Sequence, residues 1–190
     1  MVNKRAASKG KRINPHYWVF CEGETEEAYV SFLRSQYRIP IEIVSKIVGN
    51  KITHRIIKNY KQSMPTHEKD KDFLMYDADV PETLEKLKEI KSAELIASNP
   101  SIELWFFLHY KTQTAHISTN ECIKQLSNRN RNNYKKGIID KQLEDKLYEN
   151  CSKACERAEK LEPFNNPSST MYLFIKELEK VKKIQSKRLQ

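Results

Sequence analysis

The acidic residues of this chain stand where carboxylates could act together. The run Val19-Phe20-Cys21-Glu22-Gly23-Glu24-Thr25-Glu26-Glu27 takes a short apolar stretch straight into four glutamates. Asp77-Ala78-Asp79 closes a second apolar run, and Glu103 follows a third that ends in Ser98-Asn99. Two carboxylates about 4 Å apart repel by roughly 4 kcal/mol at an effective dielectric near 20. A divalent ion between them makes that cost tolerable. Hard oxygen donors, with no His close by in sequence and Cys21 read as a core residue of its strand, favour Mg²⁺ or Mn²⁺ over zinc. Asp77 and Asp79 are two residues apart, so an extended backbone would aim both the same way, with Ala78 facing away. Gly23 would let the chain turn sharply enough for Glu22 and Glu26 to reach one ion. The expected ligands are Glu22, Glu26, Asp77 and Asp79, with Glu103 one helical turn beyond the third run. Other readings stay open here. Acids after a strand also favour the positive end of the next helix, which suits Glu24 and Glu27 best, and Asp77 and Asp79 could lie in a solvated loop.

Bringing these acids together requires strands that end on one edge. The short apolar runs 16–22, 41–48, 72–79 and 93–99 read as strands. Between them the spacing predicts helices over 25–37, 53–64 and 81–91, with Thr53 as a cap and Pro81 in a first turn. Asn99 would cap an apolar helix over 100–110, whose Trp105, Phe106 and Phe107 belong in the core. Alternation of this kind implies right-handed crossovers and a parallel four-stranded sheet flanked by helices. Sites in such sheets form beyond the carboxyl ends of the strands. After residue 110 no strand is expected, only helices at about 119–128, 140–149, 151–161 and 169–187. The expected organisation is a basic disordered arm (1–14), an α/β core (15–110) and a helical appendage packed on it (111–190).

Charge points to a polyanionic partner. Lys and Arg number 34 against 25 Asp and Glu, a net charge of +9. Basic residues cluster in the N-terminal arm, at the C-terminal end, and internally at Arg129, Arg131, Lys135 and Lys136 among Asn130, Asn132, Asn133 and Tyr134. Basic groups mixed with Asn and Tyr suit phosphate and base contacts. Cys21, Cys122, Cys151 and Cys155 give no zinc spacing, and the expectation is reduced thiols in an intracellular, cytoplasmic protein. His54, His67, His109 and His116 are expected at the surface or hydrogen-bonded. Neither a membrane span nor a secretory leader is expected.

Several stretches together resemble the RloB-like proteins of the wider Toprim superfamily. They are "VFCEGETEEAYV", "LMYDAD", "ASNPSIELWFFLHY", "RNNYKK", "CERAEKL" and "NPSSTMYLFIKEL". The resemblance covers about residues 15–180. It implies a Toprim fold, a Rossmann-like parallel sheet, and a nuclease of the OLD type. Glu22 would match the Toprim glutamate, Asp77 and Asp79 the D-x-D motif, and Glu26 the extra glutamate of the nuclease branch. It also implies an RloA-like ABC-type ATPase as partner, a role in phage defence by abortive infection, and RNA, including tRNA, or DNA as substrate. Glu22, Asp77 and Asp79 would then be catalytic, and Arg129, Arg131, Lys135 and Lys136 would grip the nucleic acid. Two other classes compete. One is a haloacid-dehalogenase-like phosphatase, with Asp77 as nucleophile, Asp79 as acid/base and Ser98 on the next strand. The other is a noncatalytic nucleic-acid-binding or regulatory subunit of an ATPase complex.

Overall fold

The computed structural model describes residues 14–131 and 133–188, so all but one residue of the expected basic arm lie outside the described residues. Four parallel strands are β1 (His16–Cys21), β2 (Glu42–Ile47), β3 (Lys71–Asp77) and β4 (Glu94–Asn99). A fifth, β5 (Ser168–Ser169), pairs antiparallel with β4, and the sheet order is β2-β1-β3-β4-β5. Five strands rather than four is a correction to the sequence reading. A two-residue Ser-Ser strand carries neither apolar character nor alternation, so its pattern is silent.

The helices are α1 (Glu24–Tyr37), α2 (His54–Lys61), α3 (Pro81–Lys88), α4 (Ile102–Leu108), α5 (Thr119–Arg129), α6 (Lys141–Glu149), α7 (Cys151–Ala158) and α8 (Met171–Arg188). Their starts have local causes. Thr53 accepts from the Ile56 amide, Ser118 from Glu121 and Asp140 from Leu143, each a side-chain cap on a first turn. Pro81 opens α3, where a missing N–H costs nothing. Asn99 does not cap α4; Ser101 is its N-cap residue. The Asn99 amide donates instead to the carbonyls of Ala78 and Phe164.

Both faces of the sheet are covered, which explains why β1 and β3 read as unbroken apolar runs. Tyr17, Val19, Cys21, Phe73 and Met75 face a cluster that includes α1, α4 and α8. Trp18, Phe20, Leu74 and Tyr76 face the other side, against Ile57 of α2 and Leu87 of α3. Trp105, Phe106 and Phe107 are buried as expected.

The segment after residue 110 is packed on the core and also contributes to it. Phe174 of α8 meets Phe73 edge to face at 4.7 Å. Tyr17 donates to Glu177 at 2.7 Å, and Lys71 pairs with the same carboxylate at 2.8 Å. Beside β5, Thr170 ties its end of the chain to β4: its amide donates to the Ala97 carbonyl, and its hydroxyl accepts from the Ala97 amide at 2.9 Å.

That last bond predicts a stability effect. Thr170→Val keeps the shape but leaves the buried Ala97 N–H without a partner, costing about 1–3 kcal/mol. Thr170→Ser should cost clearly less. Urea denaturation of the two variants measures the difference.

Candidate functional site

The carboxyl ends of β1 and β3 lie side by side, because Cys21 is in register with Met75. β1 therefore delivers Glu22, and the start of α1 delivers Glu26. β3 ends on Asp77, and the start of α4 supplies Glu103. These four carboxylates share one cavity of about 310 Å³, also lined by Gly23, Ile102, Lys136 and Gly137.

Backbone amides hold three of the four. Glu22 Oε2 accepts from the Asp77 amide at 2.9 Å, and Asp77 Oδ1 accepts from the Ile102 amide at 2.9 Å. Glu26 Oε2 accepts from the Gly23 amide at 2.9 Å. The fourth is held by side chains. Glu103 receives the Ser101 hydroxyl at 2.6 Å and the Tyr134 hydroxyl at 2.9 Å, while Lys136 Nζ stands 3.7 Å away. Glu26 and Glu103 are almost fully buried, at 5% and 1% exposure.

Burial and crowding push Asp77, Glu22 and Glu26 toward their neutral forms. Asp77 rises to about 9, first through loss of water and then through the charges of Glu26, Glu22 and Glu103; the Ile102 amide opposes this. Glu22 is raised by burial and by Asp79, against the Asp77 amide and Lys136. Glu26 is raised by burial, against its amide bonds, with Glu22 and Glu103 adding to the rise.

Other expected site residues are placed differently. The extended backbone ends at Asp77; Asp79 sits exposed in the following bend and is not among the cavity-lining residues. Its charge adds to the rise at Glu22. Gly23 is extended, with φ −147°, and a Cβ there would meet Glu26 Oε2 at an ordinary 3.5 Å, so no sharp turn depends on it. Gly137 is the glycine the site needs. Its φ is +75°, and a Cβ would press on Glu24 at 3.3 Å. Glu24 lines the cavity, while Glu27 accepts from Ser45.

The internal basic cluster splits as well. Lys136 borders the cavity, and Arg131 and Lys135 are exposed. Arg129 instead lies over the Phe107 ring and bonds Gln125. Tyr134 is buried and serves Glu103, so it is not a base-stacking platform. The sequence showed Tyr134 only as an aromatic residue among bases; its role depends on a contact 31 residues away.

The donor chemistry suits a hard divalent cation, since every acidic group is an oxygen ligand and their mutual repulsion favours a positive charge. A complete cage is not formed by protein alone: among the described residues, no three His, Cys, Asp or Glu side chains are grouped as metal ligands. Each oxygen of Glu103 accepts one hydrogen bond, from Ser101 and from Tyr134.

A family model described as RloB-like protein matches residues 17–178. Neither a search of curated proteins nor one of solved structures gives a match. Among the described residues no helix is long and apolar enough to cross a membrane.

The raised Asp77 value has a definite sign for stability. Between about 4 and 9 the folded state holds a proton that the unfolded chain has lost, so this contribution is complete below the unfolded value and disappears as pH rises through 9. Metal-free protein should therefore melt at lower temperature at pH 9 than at pH 5. Asp77→Asn, which keeps the acceptor for Ile102, should flatten that dependence. Scanning calorimetry in chelator across this range checks both.

Proposed function

The chain belongs to the RloB-like family, and on that premise we propose that it is a Toprim-type nuclease hydrolysing phosphodiester bonds with Mg²⁺ or Mn²⁺. The observation that carries this reading is the meeting of Glu22, Glu26, Asp77 and Glu103 in one cavity beyond the strand ends, with Lys136 at its wall. A bound divalent ion would supply charge neutralisation at the phosphate and acidification of water.

The chain's own groups have separate roles in this proposal. Glu22 and Asp77, fixed by amides, hold the cation, with Glu26 beside them and Asp79 acting from the rim. Glu22 is the proposed general base: its raised value brings its proton affinity nearer to neutral pH. Glu103 positions Tyr134 and Lys136. Lys136, with exposed Lys135 and Arg131, attracts the nucleic-acid backbone. Both RNA, including tRNA, and DNA offer the phosphates this arrangement needs. The proposed partnership with an RloA-like ABC-type ATPase, and the role in phage defence, rest on the family resemblance.

The phosphatase reading has less support. Ser98, which it requires at the site, is 1% exposed, with its hydroxyl 2.9 Å from that of Ser169.

Purified protein, alone and with the ATPase, should cleave tRNA, single-stranded RNA or duplex DNA in Mg²⁺ and not in chelator. Asp77→Ala and Glu22→Gln should each lose at least about a hundredfold, since losing even an outer partner of a metal ligand costs about 10–100-fold. Equal cleavage in chelator, or by Asp77→Ala, sinks the proposal. Nucleic-acid binding without cleavage under every condition returns the protein to the binding-subunit class. Binding itself is tested by salt titration: Lys135→Ala and Arg131→Ala should each reduce the salt slope by about 1 across all sequences.

A further inference from the structure

The chain holds no acidic residue between Glu42 and Glu68, while Lys46, Lys51, Arg55, Lys58 and Lys61 place five positive charges there. This segment runs from β2 through a short helical turn at Gly49–Lys51 into α2. Lys61 is paired with Asp72 at 2.7 Å. Among the described residues, Lys46, Lys51, Arg55 and Lys58 form no ion pair. Other surface helices are built differently. α3 pairs Lys88 with Glu85, and α6 pairs Lys141 with Glu144 and Asp145 and Lys146 with Glu149. On α2, Arg55, Lys58 and Lys61 follow at three-residue spacing, where side chains are neighbours and like charges work against the helix. A charge pattern that costs helix stability suits a surface that meets a polyanion.

The same segment is fastened to the carboxyl edge of the sheet, beside the acidic cavity. The Val48 amide donates to the Cys21 carbonyl at 3.0 Å, and the Tyr76 hydroxyl donates to the Gly49 carbonyl at 2.9 Å. A Cβ on Gly49 would stand 3.7 Å from the Glu22 carbonyl oxygen. Lys46 is in register with Phe20, two residues before Glu22. The Tyr60 ring lies 6.2 Å from that of Phe20 and 5.8 Å from Lys46 Nζ, yet Tyr60 stays 41% exposed. α2 packs on the sheet face that carries Trp18, Phe20, Leu74 and Tyr76. Lys136 comes from the opposite face: its connection bonds Thr25 of α1 and approaches Glu103 of α4. Glu22 and Asp77, at the ends of β1 and β3, therefore lie between two basic walls.

Resting on the nucleic-acid reading above, we propose that Lys46, Lys51, Arg55, Lys58 and Tyr60 form a second binding wall, across the carboxylates from Lys136, that grips a single-stranded segment. The four cations take backbone phosphates and release their counterions. Tyr60 offers a ring face for stacking, a contact open to any base once that base is unpaired. A strand held by both walls crosses the sheet edge with a phosphate over Glu22 and Asp77. RNA and DNA share the phosphates and base faces that this wall uses.

The test measures binding rather than cleavage. The full chain, in chelator and again with Ca²⁺, is titrated into labelled single-stranded RNA, single-stranded DNA and duplex DNA, and anisotropy is followed across a salt series. Lys51→Ala, Arg55→Ala and Lys58→Ala should each reduce the single-strand salt slope by about 0.7. Lys86→Ala, an exposed lysine on α3 outside the wall, should leave it unchanged. Tyr60→Leu keeps bulk over Phe20 and removes the ring face. It should weaken single-strand binding at least about fivefold and leave duplex binding as it was, while Tyr60→Phe binds like wild type. Losses on RNA alone or on DNA alone support the wall and identify the nucleic acid it serves. Wild-type binding with unchanged slopes in all three cation variants overturns the wall and leaves the nuclease proposal standing. An equal loss of duplex binding in Tyr60→Leu overturns the stacking role. No binding by folded wild-type protein in either condition overturns the wall and the nucleic-acid reading together.

Discussion

Three main-chain amides hold the centre of this molecule together. They belong to Gly23, Asp77 and Ile102, and they donate to Glu26, Glu22 and Asp77 in turn. Burying several like-charged groups without such donors would cost more than the contacts around them return. The donors lie in the turn after β1, at the end of β3 and at the start of α4. A parallel sheet brings all three to one edge, so the fold and the acidic cavity share the same geometric requirement.

The amides do not fully compensate the charge. Asp77 remains strongly biased toward protonation, and Glu22 and Glu26 are raised in the same direction. Residual frustration of this kind is what the proposed cation would relieve. A cluster already satisfied by lysines would gain little from a metal ion, and here one lysine stands 3.7 Å from the best-supported carboxylate.

Much of this was legible in the chain. β1 and β3 announce themselves because burial on two faces leaves unbroken apolar runs leading into acids, β2 shows in its alternating β-branched residues, and Glu22, Glu26, Asp77 and Glu103 do share a cavity. Thr53 also caps where its position suggested. The errors have physical causes. Two-residue alternation fails as soon as a strand stops, which is why Asp79 parts from Asp77. A polar residue before a helix looks like a cap, yet Asn99 spends its amide on carbonyls 21 and 65 residues away. Ser168 and Ser169 form a strand only because β4 offers an edge. Tyr134 and Arg129 look like nucleic-acid contacts by composition and are used internally, a distinction that only tertiary packing draws.

The peptide between α5 and α6 has a position unlike any other part of the cavity wall. It carries Tyr134, Lys136 and Gly137, and the Gly137 amide donates to Thr25 across 112 residues. The sheet supplies the acidic floor, while Lys136 and Gly137 of this connection supply a basic group and a bend in the wall. The two can therefore diverge separately. Changing a few residues of the connection would reshape that wall while the floor stays intact, so related chains could keep the acidic floor of the proposed site and differ in what fits above it.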